Sequence, residues 1–381
     1  MLYLDNAATT PVRREVLEAM LPHLTTEFGN PSSHHTIGER AAATLADARA
    51  AVARTLGMRR TDVVFTSGGT EANNLAIKGI AIAAQLGRDA GHLVTTPIEH
   101  ESVLQSVAYL QRVHGFSATF VPVDAHGRVD PDDLADAIRE DTALVSIGYA
   151  NNEVGTIQDV GVLARVAHER RVPVHIDAVQ AAGWLDLSAA ELGVDAISIA
   201  GHKLGAPQGT GALAVRGRLP VEPLLHGGGQ ERGRRSGTES VAGAVALATA
   251  LGLADRERVE AAARVSALRD AFVARVLTLI PQARLTGDPV HRLPGTASFT
   301  FSGTSGEAVL LNLERRGVIS SSGSACAAGS DEPSHVLIAL GVHAALAQTA
   351  VRFTFPRTLD EPLDDVADAL AASVAAVQST A

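Results

Sequence analysis

Between residues 62 and 215, short runs rich in β-branched residues alternate with longer segments whose apolar residues recur at helical spacing. That alternation is the pattern of βαβ units, and it commits this part of the chain to a doubly wound α/β domain with a mainly parallel sheet. Strands are expected at 63–66, 92–95, 118–121, 144–149, 174–177, 196–199 and 212–215. Helices are expected between them at 71–86, 99–114, 131–139 and 160–170. In such sheets ligands bind beyond the carboxyl ends of the strands, so the residues that follow each strand carry most of the functional information.

After a glycine-rich stretch at 226–237, an alanine-rich helical region runs to about residue 280. Strands at 297–301 and 351–355, a helix at 307–315 and a final alanine-rich helix then predict a smaller α+β domain. A chain of 381 residues is long enough for two such units. The expected division is 14–253 for the large cofactor-binding domain, and 1–13 with 254–381 for the small one.

The net charge of −10, with no dense Lys/Arg run, argues against direct nucleic-acid binding. The most apolar helical stretch, 241–254, falls short of the roughly 20 residues a membrane span needs. Asp255, Arg256, Glu257 and Arg258 follow it, so a buried helix is expected there and no membrane association. Residues 1–10 show no basic segment followed by an apolar one, which gives a cytoplasmic expectation. Cys326 is the only cysteine, so no intrachain disulfide can form. It is either packing or chemistry, and the Ser-, Gly- and Ala-rich segment 320–330 around it offers little apolar surface to pack against.

Four strand ends carry candidate groups. The segment Val63-Val64-Phe65-Thr66-Ser67-Gly68-Gly69-Thr70-Glu71 reads strand, glycine turn, helix start. Free N–H groups and the positive helix end there suit a phosphate, although a plain turn with Thr70 as N-cap has the same pattern. His175-Ile176-Asp177-Ala178-Val179-Gln180 puts a carboxylate at a strand end, as ligand group or helix cap. Ser198-Ile199-Ala200-Gly201-His202-Lys203 puts an amine on the same edge, where a lone lysine is more often a solvated charge. His100 follows the strand at 92–95, either as a ring-stacking group or as a polar helix-start residue. Pyridoxal phosphate requires this combination: a phosphate cradle, a lysine to carry the aldehyde, and an acid to keep the pyridine nitrogen protonated so that the ring accepts electrons.

These motifs resemble those of the class V aminotransferase-like family, and within it the cysteine desulfurases of the nitrogen-fixation and iron–sulfur-cluster type. The likeness continues through Tyr3-Leu4-Asp5-Asn6-Ala7-Ala8-Thr9-Thr10-Pro11, Phe28-Gly29-Asn30-Pro31 and Asn151-Asn152-Glu153-Val154-Gly155. It extends to His226-Gly227-Gly228-Gly229-Gln230-Glu231-Arg232-Gly233, Arg235-Ser236-Gly237-Thr238 and Ser321-Ser322-Gly323-Ser324-Ala325-Cys326. The resemblance implies a pyridoxal-phosphate-dependent transferase fold of the aspartate aminotransferase type. It implies that Lys203 carries the cofactor, Asp177 pairs with the pyridine nitrogen, Gln180 meets the ring hydroxyl, and His100 stacks on the ring and moves protons. Gly69, Thr70 and His202 look like phosphate ligands, joined by Thr238 from the partner of a homodimer, and Asn152 and Arg352 resemble the pair that positions substrate.

The implied reaction converts L-cysteine to L-alanine, with sulfur passing to Cys326 as a persulfide. An acceptor protein, such as an iron–sulfur scaffold or a tRNA-thiolation protein, then takes it. No resident metal is expected, Cys326 being at most a transient iron–sulfur ligand. The segment around Cys326 resembles the loop of the family's first group rather than the shorter one of its second. Rival readings are a selenocysteine lyase or aminotransferase of the same fold, or a non-catalytic sulfur-relay protein. Three departures stand out. Ala200 replaces the usual serine, Ala206 and Gln208 alter the Gly-Pro-Lys-Gly pattern, and the chain stops soon after its last helix without the long tail of housekeeping members.

Overall fold

The computed structural model describes residues 1–323 and 332–379. In chain order its strands are β1 (Leu2–Tyr3), β2 (Val63–Thr66), β3 (His92–Thr95), β4 (Ser117–Phe120), β5 (Thr142–Gly148) and β6 (Val174–Asp177). They continue with β7 (Ala196–Ala200), β8 (Gly211–Val215), β9 (Ala283–Leu285), β10 (Thr296–Phe301), β11 (Val318–Ile319) and β12 (Val351–Thr354). Seven of them form one sheet in the order β2-β8-β7-β6-β5-β3-β4.

The strands β4, β3, β5, β6 and β7 run parallel, as the alternation with helices requires. Their middle members are buried on both faces, the polar Ser146, His175 and Ser198 of one face being hydrogen-bonded to one another. Strand β8 is the exception, lying antiparallel to both β7 and β2. Its link from β7 spans only residues 201–210, shorter than the dozen or so residues that a parallel crossover needs, so the chain turns straight back. The strand expected at 118–121 sits one residue earlier, and the helix expected at 71–86 starts at Gly69 and runs to Arg88, widened to a π-turn over Leu75–Gly79.

The expected buried helix at 241–254 is the first third of one helix, Val241–Leu279, whose start is capped by Ser240 Oγ accepting from the Gly243 N–H at 3.1 Å. The expected division at 253 therefore falls inside a helix, not in a linker. Ala246, Leu247, Ala250, Leu251 and Ala254 pack into the core of the large sheet. Further along, Val265, Phe272 and Val276 join a second apolar cluster. That cluster contains Phe299 and Phe353 from the three-stranded sheet β12-β10-β9, Phe355 just after β12, and Leu4 from the N-terminus. Phe272 meets Phe353 edge-on with ring centroids 5.2 Å apart. Through the β1–β11 pair and the Asn6 backbone N–H to Thr354 O bond, the first residues of the chain belong physically to its last third.

Candidate active site

The carboxyl ends of β2, β5, β6 and β7 and the N-terminal segment enclose a cavity of about 450 Å³. Its lining includes Gly69, Thr70, His100, Asn152, Asp177, Gln180, His202, Lys203 and Arg352. Residues read from four separate strand ends and from β12 thus meet in one space. Thr238 is exposed and does not line the cavity of its own chain. Cys326 lies outside the described residues.

Lys203 is no solvated surface charge. Its Nζ donates to the carbonyls of Ala7 and Ala8, the latter at 2.6 Å, and Gln180 Nε2 donates to the Ala7 carbonyl at 3.0 Å. The N-terminal Asn6-Ala7-Ala8-Thr9 segment therefore supplies backbone acceptors that hold two candidate cofactor ligands. That role has no side-chain signature. His202 Nδ1 lies 3.2 Å from Thr9 Oγ1, and burial together with the neighbouring Lys203 charge pulls the imidazole down to about 4, so it is neutral at pH 7.

Asp177 ends β6. Its Oδ1 accepts the Val179 N–H at 3.0 Å, and its Oδ2 accepts from Asn73 Nδ2 at 2.6 Å. Glu99, fully buried in the cavity wall, lies beside Asp177 and His100. Burial pushes its carboxyl up to about 7, against the hydrogen bond from Thr96 Oγ1 at 2.7 Å. Sequence reasoning passed over both Asn73 and Glu99. Glu99 could have been flagged as a carboxyl next to His100 just after a strand, whereas Asn73 looks like any polar helix residue.

Arg352, only 2% exposed on β12, does not present two free arms. Its Nη2 donates to Asp5 Oδ1 at 2.7 Å, and its Nη1 donates to the carbonyls of Asn152 at 2.8 Å and Gly323 at 3.2 Å. Its buried Nε has no partner among the described residues. The Asn151 side chain, not that of Asn152, builds the adjacent turn by accepting the N–H groups of Glu153 and Val154.

These residues fit pyridoxal phosphate. Gly69 starts a helix at the cavity wall, and a Cβ there would fall 2.7 Å from Val179 Cγ2, so the backbone stays open to a phosphate. A lysine, a carboxylate and an imidazole line the same cavity. Ala200 lines the same wall, and Thr210, the hydroxyl that could stand in for the family's serine, instead donates to the Pro207 carbonyl at 2.7 Å and does not line the cavity. Among the described residues no group of three or more His, Cys, Asp or Glu side chains could hold a metal, and no helix is long and apolar enough to cross a membrane.

The model of the class V aminotransferases matches residues 2–361. An IscS-like cysteine desulfurase from Mycobacterium tuberculosis is 45% identical over 389 aligned positions that cover 100% of this chain and 98% of the relative. A solved NifS-like protein superposes with a TM-score of 0.90 at 36% identity, covering 100% of both chains. A structure described as SspA in complex with cysteine superposes with a TM-score of 0.82 at 36% identity, covering 94% of this chain and 99% of that one. The chain belongs to the class V aminotransferase family, whose members depend on pyridoxal phosphate, and within it to the IscS/NifS-like cysteine desulfurases.

Proposed function

We propose that the protein converts L-cysteine to L-alanine and delivers the sulfur, through a persulfide on Cys326, to an acceptor for iron–sulfur cluster assembly or tRNA thiolation. The observation that carries this reading is the single cavity in which Lys203, Asp177, His100, Gln180 and Arg352 converge. Bound at Lys203, pyridoxal phosphate supplies an electron sink for the pair left when the substrate α-proton departs. Asp177, fixed by two donors, pairs with the pyridine nitrogen. Arg352 and Asn152 orient the substrate carboxylate. His100 moves protons on the ring face, and Gly69, Thr70 and His202 hold the phosphate.

In the sulfur step the Cys326 thiolate attacks the substrate sulfur. The S–S bond forms, the C–S bond breaks, and the β-carbon gains a proton to become the methyl of alanine. The products, alanine and a persulfide anion, balance cysteine plus thiolate without an external oxidant.

The glycine-rich segment that carries Thr238 is tied to its own subunit by Arg235 to Glu71 at 2.9 Å and by Arg49 to Glu231. An exposed Thr238 held this way supports a homodimer in which it completes the partner's phosphate site. We take the protein to act in the cytoplasm, and residues 14–253 and 1–13 with 254–381 to form its two domains, in keeping with their separate apolar clusters. The test is the product of L-cysteine turnover. Equal alanine and sulfide in the presence of reductant supports a desulfurase, and a keto acid product sinks it in favour of an aminotransferase.

A further inference from the structure

A continuous set of hydrogen bonds joins the carboxylate of Asp177 to the imidazole of His100, and it passes through two residues with no assigned part in the reaction. Asn73 Nδ2 donates to Asp177 Oδ2 at 2.6 Å and to Ser102 Oγ at 2.9 Å. Ser102 Oγ lies 2.8 Å from His100 Nδ1, and the Ser102 backbone N–H also donates to that nitrogen, at 3.0 Å. Asn73 is 1% exposed and Ser102 is buried, so water does not compete for these bonds.

Counting donors fixes the protons. A side-chain amide nitrogen has two hydrogens, and here both are used. The opposite amide orientation would press the Asn73 oxygen against the carboxylate, acceptor against acceptor. The observed orientation leaves Asn73 Oδ1 buried without a partner among the described residues, which a general packing role does not explain. Ser102 Oγ receives the second amide hydrogen, so its own hydrogen is free to point at His100 Nδ1. That nitrogen also caps the helix Glu101–His114 by accepting the Ser102 N–H. Two donors aimed at Nδ1 require its lone pair, and the neutral imidazole then carries its proton on Nε2.

We propose that Asn73 is a positioning residue of the desulfurase site, one that orients the Asp177 carboxylate and, through Ser102, holds His100 as the Nε2–H tautomer. Resting on the functional reading above, the relay couples the acid under the cofactor nitrogen to the imidazole that moves protons, so that both stand ready in one arrangement. Asn73 and Ser102 line the same cavity, and they act through Asp177 and His100, to which they are hydrogen-bonded.

The experiment uses the full-length protein as purified, labelled with ¹⁵N-histidine, before substrate is added. Of its 14 histidines, His100 is identified by the signal lost in His100→Gln. The ring ¹⁵N shifts report which nitrogen bears the proton. The expected result is an Nε2–H tautomer in the wild type and a shift toward mixed tautomers in Asn73→Ala and in Ser102→Ala. Ser102→Ala leaves the Asn73–Asp177 bond in place, so it decides the matter even if the Asn73 variant folds poorly. In turnover, each variant should lower kcat for alanine formation roughly tenfold, a part of the about 10²–10⁴-fold that an acid–base group contributes, and leave KM nearly unchanged. The double variant should lose little beyond the larger single loss, because both act on one relay. An Nδ1–H tautomer in the wild type, or unchanged His100 shifts in Ser102→Ala, overturns the proposal. Failure of the wild type to make alanine would instead overturn the functional reading and leave the tautomer result standing.

Discussion

Glu99 offers a perturbation whose size follows from its surroundings. Its side chain is enclosed by the end of β5 and the start of the helix Glu101–His114, with Asp177 nearby, and burial holds it protonated up to about 7 against 4.5 for an ordinary glutamate. Below pH 4.5 the group is neutral in both folded and unfolded chains and makes no difference to stability. Between 4.5 and 7 the unfolded chain releases a proton that the folded one keeps, so stability is lost as pH rises through this window. Above 7 the loss levels off at about 3 kcal/mol, at about 1.4 kcal/mol per unit of pKa. Glu99→Gln keeps the shape and the polar contacts of the neutral acid but cannot ionise. Its unfolding free energy relative to wild type should therefore climb by about 3 kcal/mol between pH 4 and pH 8. Urea titrations at a series of pH values measure this directly. Parallel stability curves for variant and wild type across that range would refute the claim that Glu99 is a buried neutral acid.

Other substitutions test the site and its support. Lys203→Ala should yield a protein without the visible absorption of bound pyridoxal phosphate, and a band that survives the change would move the cofactor to another residue. Cys326→Ser should still bind cofactor and respond spectrally to L-cysteine while alanine and persulfide formation fall to background. Substantial alanine production would replace direct attack by a lyase route. Ala200→Ser should slow cofactor loss on dialysis roughly tenfold through one added hydrogen bond to a charged phosphate, and unchanged loss would show that another donor already serves. Arg49→Met should cost about 3–5 kcal/mol by leaving the buried Glu231 carboxylate alone, whereas Arg49→Met with Glu231→Leu should recover most of it. A double variant as unstable as the single would show that the loss comes from packing or from the Arg49 bond to the Val63 carbonyl.

The sequence by itself determined the strands of the large sheet to within two residues, though not β1, β9 or β11, together with the parallel core of that sheet and the strand ends where chemistry gathers. Residues 63–66, 92–95 and 174–177 were placed without error because hydrophobic period and β-branching are local signals, fixed by which face of each element must be buried. It also named Lys203, Asp177 and His100, because a cofactor with several separate demands leaves a pattern of residue types along the chain, whereas Arg352 was named only through the family resemblance. Tertiary structure alone decided the return of β8 against its neighbours, since strand direction depends on how far a link can reach. Tertiary structure also set Asp5 on Arg352 across 347 residues of chain, and the Ala7 and Ala8 carbonyls on Lys203. The relay from Asp177 through Asn73 and Ser102 to His100 was illegible for the same reason. Asparagine and serine are common wherever helices begin, a backbone carbonyl belongs to every residue, and only the packed arrangement shows which donor faces which acceptor.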